Sequence, residues 1–120
     1  METKNNQHAD LTYLKEISNG SKEFIIEMVS VFIKEIPVEI DKLEKHLAAK
    51  DWKSLKSVAH KMKSTFSIMG IKELESDIKL INDYAAQESN LDQLPAMITK
   101  IKNICTETVK ELESFLAGYA

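Results

Sequence analysis

Between residues 51 and 70 the sequence DWKSLKSVAHKMKSTFSIMG places Leu55, Ala59, Met62, Phe66 and Met69 at alternating spacings of four and three. At about 100° per residue these positions fall within a stripe roughly 80° wide, which predicts an amphipathic helix. Asp51 suits the N-cap, where a carboxylate can accept from a free N–H of the first turn. Gly70 suits the residue just past the end, where the chain turns left-handed. His60 falls about 140° from the centre of the apolar stripe, on the polar face. Lys56 and Ser57 lie one turn before it on that face, and Lys63 and Ser64 one turn after.

The same period runs through most of the chain. Over residues 21–50, Phe24, Ile25, Met28, Val31, Phe32, Ile36, Ile40, Leu43 and Leu47 keep a helical spacing. Pro37 has no N–H for the carbonyl of Ile33 and crowds it, which predicts a kink or a break between two collinear halves. Ahead of this segment Ser18-Asn19-Gly20 forms a turn, and Asp10 can cap a short helix carrying Leu11, Leu14 and Ile17. Residues 1–9, METKNNQHA, are polar and read as a flexible tail in which His8 has no evident partner.

After Gly70, Ile71, Leu74, Ile78, Ile81 and Ala85 make a second stripe. The connection is so short that this helix must return antiparallel to the one before it. Its outer face carries Glu73, Glu75, Asp77 and Asp83, an ordinary solvated charge pattern. The loop QESNLD follows, and Asp92 can cap a last helix with Pro95 in its first turn. Leu94, Met97, Ile98, Ile101, Cys105, Val109, Leu112 and Leu116 give that helix its buried side. The pattern predicts an all-α protein, an antiparallel up-down four-helix bundle over residues 10–120 with a short extra N-terminal helix covering one end.

Composition narrows the functional classes. The 120 residues suffice for one self-supporting domain. Three Gly and two Pro are too few for a turn-rich β fold. A net charge of −3 argues against nucleic acid as a main partner. The single cysteine, Cys105, excludes an internal disulfide and a cysteine-based zinc cage, and its place on an apolar stripe makes it a small core residue. No apolar run approaches the roughly 20 residues of a membrane span, and no signal peptide follows Met1. A cytoplasmic monomer is expected. His8, His46 and His60 fall on different elements with no Glu-x-x-His pattern, so no metal site of the chain's own is expected. His46, among lysines, reads as a solvated surface residue.

The chemistry concentrates on His60. Imidazole, with a reference pKa of about 6.5, is a competent nucleophile near neutrality. A phosphorylated imidazole gains negative charge, which a lysine one turn away offsets, and small flanking side chains leave room for an incoming active site. The run Ala59-His60-Lys61-Met62-Lys63-Ser64, with Gly70 closing the helix, resembles the A-H-x-L-K-G signature of histidine-containing phosphotransfer (HPt) domains of two-component phosphorelays. The stretches EFIIEMVSVFIKEIPVEIDKLEKHLAAKDWKSL and IKELESDIKLINDYA are similar to the family's flanking helices.

This resemblance implies that His60 is the phosphoacceptor and Lys63 the basic residue that assists it. It implies a carrier that moves a phosphoryl group between receiver-domain aspartates. Ser64 stands where the family usually has Gly; it is still small, though backbone approach is less free. Met62 in place of Leu conserves volume. The expected partners are response-regulator receiver domains or a hybrid sensor histidine kinase. Mg²⁺ is expected in the partner, because this chain shows no carboxylate cage and no cofactor motif. No glycine-rich phosphate loop is present, so ATP-dependent kinase activity is not expected. The alternative is a helical-bundle adaptor that binds a receiver domain or kinase without being phosphorylated.

Overall fold

The computed structural model describes residues 8–119. Five α-helices follow in order: α1 (Thr12–Ile17), α2 (Lys22–Ala49), α3 (Trp52–Ile68), α4 (Lys72–Gln87) and α5 (Leu94–Tyr119), with a 3-10 turn at Leu91–Gln93 before the last. No strand occurs among the described residues. Helix α2 packs on α3 and α5, and α4 packs on the same two, so the four long helices close a bundle around one core. The short α1 inserts Leu14, which is fully buried, into that core.

Core positions on α3 and α4 follow the apolar spacing closely. Leu55, Ala59, Met62, Phe66 and Met69 are buried, as are Ile71, Leu74, Ile78, Ile81 and Ala85. On α2 the stripe is rotated from its expected centre. Val29 is buried, whereas Val31 is 41% exposed and Phe24 37% exposed. The buried set Ile25, Val29, Phe32, Ile36, Ile40 and Leu43 steps by three and four, and Val31 sits about 100° round from Phe32 on that helix. Ile17 of α1 is likewise 48% exposed.

Helix α2 passes through Pro37 without a break and is continuous over Lys22–Ala49. Pro37 is exposed, so the Ile33 carbonyl it leaves without a helical donor lies on the solvent-facing part of the helix. Side-chain and backbone caps set the bounds. The Ser21 hydroxyl accepts from the Phe24 N–H at 3.3 Å to start α2. Lys50 ends α2 in the left-handed conformation at φ 56°. Before α1 the Asp10 carboxylate accepts from the Thr12 N–H at 3.0 Å and the Thr12 hydroxyl at 2.7 Å, although the backbone cap residue is Leu11.

The tail expected over residues 1–9 falls, for 1–7, outside the described residues. His8 and Ala9 are tied to the bundle by hydrogen bonds to Glu73, Glu107 and Glu111. The expectation that His8 lacks a partner is therefore corrected: its partners come from α4 and α5, too far along the chain for local spacing to reveal.

Candidate functional site

Helix α3 is fixed at both ends and along one side. At its start the Asp51 carboxylate accepts from the Ser54 N–H at 3.2 Å, and hydrogen bonding to Ser54 holds that carboxyl below its usual pKa. At its end the Ile71 N–H reaches the Phe66 carbonyl at 2.9 Å and the Gly70 N–H the Ser67 carbonyl at 3.2 Å. These two bonds are the paired closure of a helix whose next residue turns left-handed, and Gly70 does so at φ 65°. Gly70 is also required sterically: a Cβ there would come within 2.1 Å of the Asp10 carbonyl oxygen.

With Leu55, Ala59, Met62 and Phe66 turned into the core, the opposite side of α3 faces solvent. His60, Lys56, Ser57, Lys63 and Ser64 are all exposed there. Among the described residues the His60 ring makes no hydrogen bond and no ion pair. The Ser57 hydroxyl donates to the Lys53 carbonyl at 3.2 Å, so it is engaged with its own helix rather than with the imidazole. Lys56 and Lys63 make no ion pair among the described residues. Lys63 nevertheless acts on α4: hydrogen bonds from Lys79 and Asn82 hold the Asp83 carboxyl below its usual pKa, and the Lys63 ammonium adds to that pull.

Lys61, beside His60 in sequence, is directed elsewhere. Its ammonium lies 3.4 Å from Glu39 Oε2 on α2, and Lys42 approaches the same oxygen at 3.6 Å. Glu39 is only 8% exposed, so a charge at an otherwise apolar α2 position is held by two lysines. Sequence spacing missed this pair, since its only signal was a carboxylate interrupting the buried stripe.

The remaining candidate groups lie apart. His46 is half-buried near the end of α2. Cys105 is fully buried, and burial pushes its thiol up to about 12, far from the thiolate form a nucleophile needs. No group of three or more His, Cys, Asp and Glu side chains among the described residues is arranged to hold a metal ion.

Fold and site together define a class: a helical bundle that presents a histidine from a helix face rather than from a pocket. The chain belongs to the Hpt domain family, whose model matches residues 27–114. Domains of this family perform histidine phosphotransfer in two-component phosphorelays, interact there with receiver domains and kinases, and are phosphocarriers rather than kinases. In fold the chain is similar to the crystal structure of histidine-containing phosphotransfer protein B (HptB) from Pseudomonas aeruginosa PAO1, with a TM-score of 0.84 at 20% identity. That similarity covers 94% of this chain and 97% of the other. No curated protein matches the sequence. No helix of the described residues is long and apolar enough to cross a membrane.

Proposed function

We propose that His60 is the phosphoryl-carrying residue, accepting the group from a receiver-domain aspartyl phosphate and passing it to a second receiver. The observation that carries this reading is the exposed imidazole on a rigid helix. Within one turn it has two small hydroxyl residues and two lysines that make no ion pair among the described residues. Nε2 is the reacting atom, because it lies farther from the backbone than Nδ1 and is more open to a partner. Its lone pair attacks phosphorus, the N–P bond forms, and the bond from phosphorus to the aspartyl oxygen breaks to release a carboxylate. Lys63 and Lys56 offset the charge that arrives, and Ser57 and Ser64 leave room for the docking partner.

The partner supplies Mg²⁺, and the chain needs no cofactor of its own. It therefore takes no phosphate from ATP alone. The reading fits a cytoplasmic monomer serving receiver domains or a hybrid sensor kinase. The test is incubation with a phosphorylated receiver domain and Mg²⁺, followed by detection of the transferred label. Acid-labile, base-stable phosphate on the wild type and none on His60→Gln is the expected result. Label that persists in His60→Gln, or appears on His46, overturns the assignment. A wild type that binds receivers yet takes no phosphate favours the adaptor reading.

A further inference from the structure

Ahead of α1 the chain makes a contact that phosphoryl transfer at His60 does not use. The His8 ring lies between α4 and α5, with Nδ1 2.6 Å from Glu73 Oε1 and Nε2 2.8 Å from Glu107 Oε1. Its backbone N–H donates to Glu111 Oε1 at 2.7 Å, and the Ala9 N–H donates to Glu111 Oε2 at 3.2 Å. One residue further, the Asp10 N–H donates to the Met69 carbonyl at 3.1 Å. Residues 8–10 thus form a strap from α5 across the start of α4 to the end of α3.

With both carboxylates ionised, the geometry of the ring favours one charge state. A neutral imidazole offers one N–H and one lone pair, so it can satisfy only one of two ionised carboxylates; the other oxygen would face the lone pair. The imidazolium donates to both. The His8 side chain is 17% exposed, whereas Glu73 is 44% and Glu107 66% exposed, so solvent screens the carboxylate side of both contacts. The other charged groups near these carboxylates are Lys72 of α4, Glu111 of α5, and Asp10 and Lys15 of the strap and α1, together with Lys100 of α5, which is paired with Asp77 at 2.8 Å and also feels the charge of Glu73. None of the three lysines is ion-paired to Glu73, Glu107 or Glu111 among the described residues.

We propose that His8 is a proton-operated latch: as the imidazolium it clamps residues 8–10 onto both Glu73 and Glu107, and on losing its proton it gives up one of these contacts and loosens the strap on its remaining main-chain bonds. Burial of the ring by itself pulls its pKa down, but the hydrogen bonds and fields of Glu73 and Glu107 outweigh that and leave it raised above 6.5. A pKa raised in the docked state means that docking is fully favoured below the undocked value. It is lost as pH rises through the docked value, by about tenfold in the docked-to-free ratio per unit of raise. The latch therefore closes as pH falls below the ordinary histidine value and opens as pH rises through the raised one. It acts at the Gly70 end of α3, about 15 Å along the helix from His60, so its direct target is the strap and not the imidazole that carries phosphate.

Two measurements on the full chain test this. A proton NMR titration of the His8 ring should give a pKa above the ordinary histidine value, falling in both Glu73→Gln and Glu107→Gln, which keep an accepting oxygen but remove the charge. Hydrogen exchange at the Asp10 amide, corrected for its intrinsic pH dependence, should lose protection as pH rises from below the ordinary histidine value through the titration measured for His8. In His8→Ala that protection should be low and independent of pH, with phosphotransfer at His60 unchanged. A wild-type His8 that titrates at or below the ordinary value overturns the latch. So does a pKa indifferent to both Gln substitutions, or Asp10 protection that does not change with pH in the wild type.

Discussion

Replacing Gly70 with alanine separates two costs that the fold places on one residue. The first is conformational: Gly70 sits at φ 65°, and an L-residue there costs about 1–2 kcal/mol, partly offset by about 0.4–1 kcal/mol from restricting the unfolded chain. The second is steric. The new Cβ would lie 2.1 Å from the Asp10 carbonyl oxygen and 2.9 Å from both its carbonyl carbon and its Cβ. These atoms are mostly backbone, so relief requires the strap to move. Movement of more than an ångström breaks the bond from the Asp10 N–H to the Met69 carbonyl, worth about 0.5–1.5 kcal/mol, and disturbs the approach to buried Leu14. Together these terms give an expected loss for Gly70→Ala of about 0.5–3 kcal/mol, above that of a glycine with the conformational cost alone.

Gly20 supplies the internal control. It too has a positive φ, 79°, but a Cβ there would meet nothing within 4 Å. Gly20→Ala should therefore carry only the conformational part, about 0.5–1.5 kcal/mol. Urea melts of the wild type and both variants, with unchanged m values, give the comparison directly. If Gly70→Ala falls within about 0.5 kcal/mol of Gly20→Ala, the close packing of the strap on the end of α3 is wrong, whatever the absolute values.

Other expectations follow from the two sides of α3. Phe66 is fully buried, so Phe66→Ala should cost about 3–5 kcal/mol in a urea or thermal melt, and a loss under about 1 kcal/mol would misplace the stripe. Asp51→Ala should lower the urea midpoint at neutral pH. Because the Asp51 carboxyl is held below 3.8, the gap from wild type should close as pH falls through that lowered pKa; a constant gap removes the capping charge as the cause. Lys63→Ala should slow transfer to His60 on the order of tenfold with the melt unchanged. Ser64→Phe should block transfer sterically, again without unfolding; normal rates in both variants would remove this face as the docking surface.

The parts of the molecule legible in the sequence are those where one local rule decides. On α3 and α4 the apolar positions are spaced singly, so the centre of the stripe is unambiguous and every expected core residue is buried. On α2 the run EFIIEMVSVFI has apolar residues on several sides, and only packing against α3 and α5 selects Val29 over Val31. Thr108 escaped because its polarity argues for solvent; in the fold its hydroxyl donates to the Ile104 carbonyl at 2.7 Å, which removes the cost of burial. Lys50 gave no sign of a left-handed cap, since only glycine or asparagine announces one. The exposed face around His60 was legible from the wheel. The Glu39–Lys61 pair and the carboxylates around His8 were not, because each joins elements that only the tertiary fold brings together.

On the proposal that His60 carries the phosphoryl group, the arrangement around it accounts for how a carrier can work without a pocket. Transfer between two partners needs a nucleophile held at a fixed place but free to meet either of them. Fixing the place falls to the backbone: the Asp51 cap, the Gly70 closure and the buried side chains of α3 position the residue without touching its ring. Freedom of the ring falls to its neighbours. The Ser57 hydroxyl is occupied by the Lys53 carbonyl, and Lys61 is drawn to Glu39, so neither competes for the imidazole. If His60 carries the phosphoryl group as proposed, the charge left to answer it is that of Lys56 and Lys63. Both are exposed and in aqueous surroundings, where a screened attraction eases arrival without making release difficult. A lysine paired as Lys61 is with Glu39 would have its charge offset by the carboxylate and would offer an incoming phosphoryl group less.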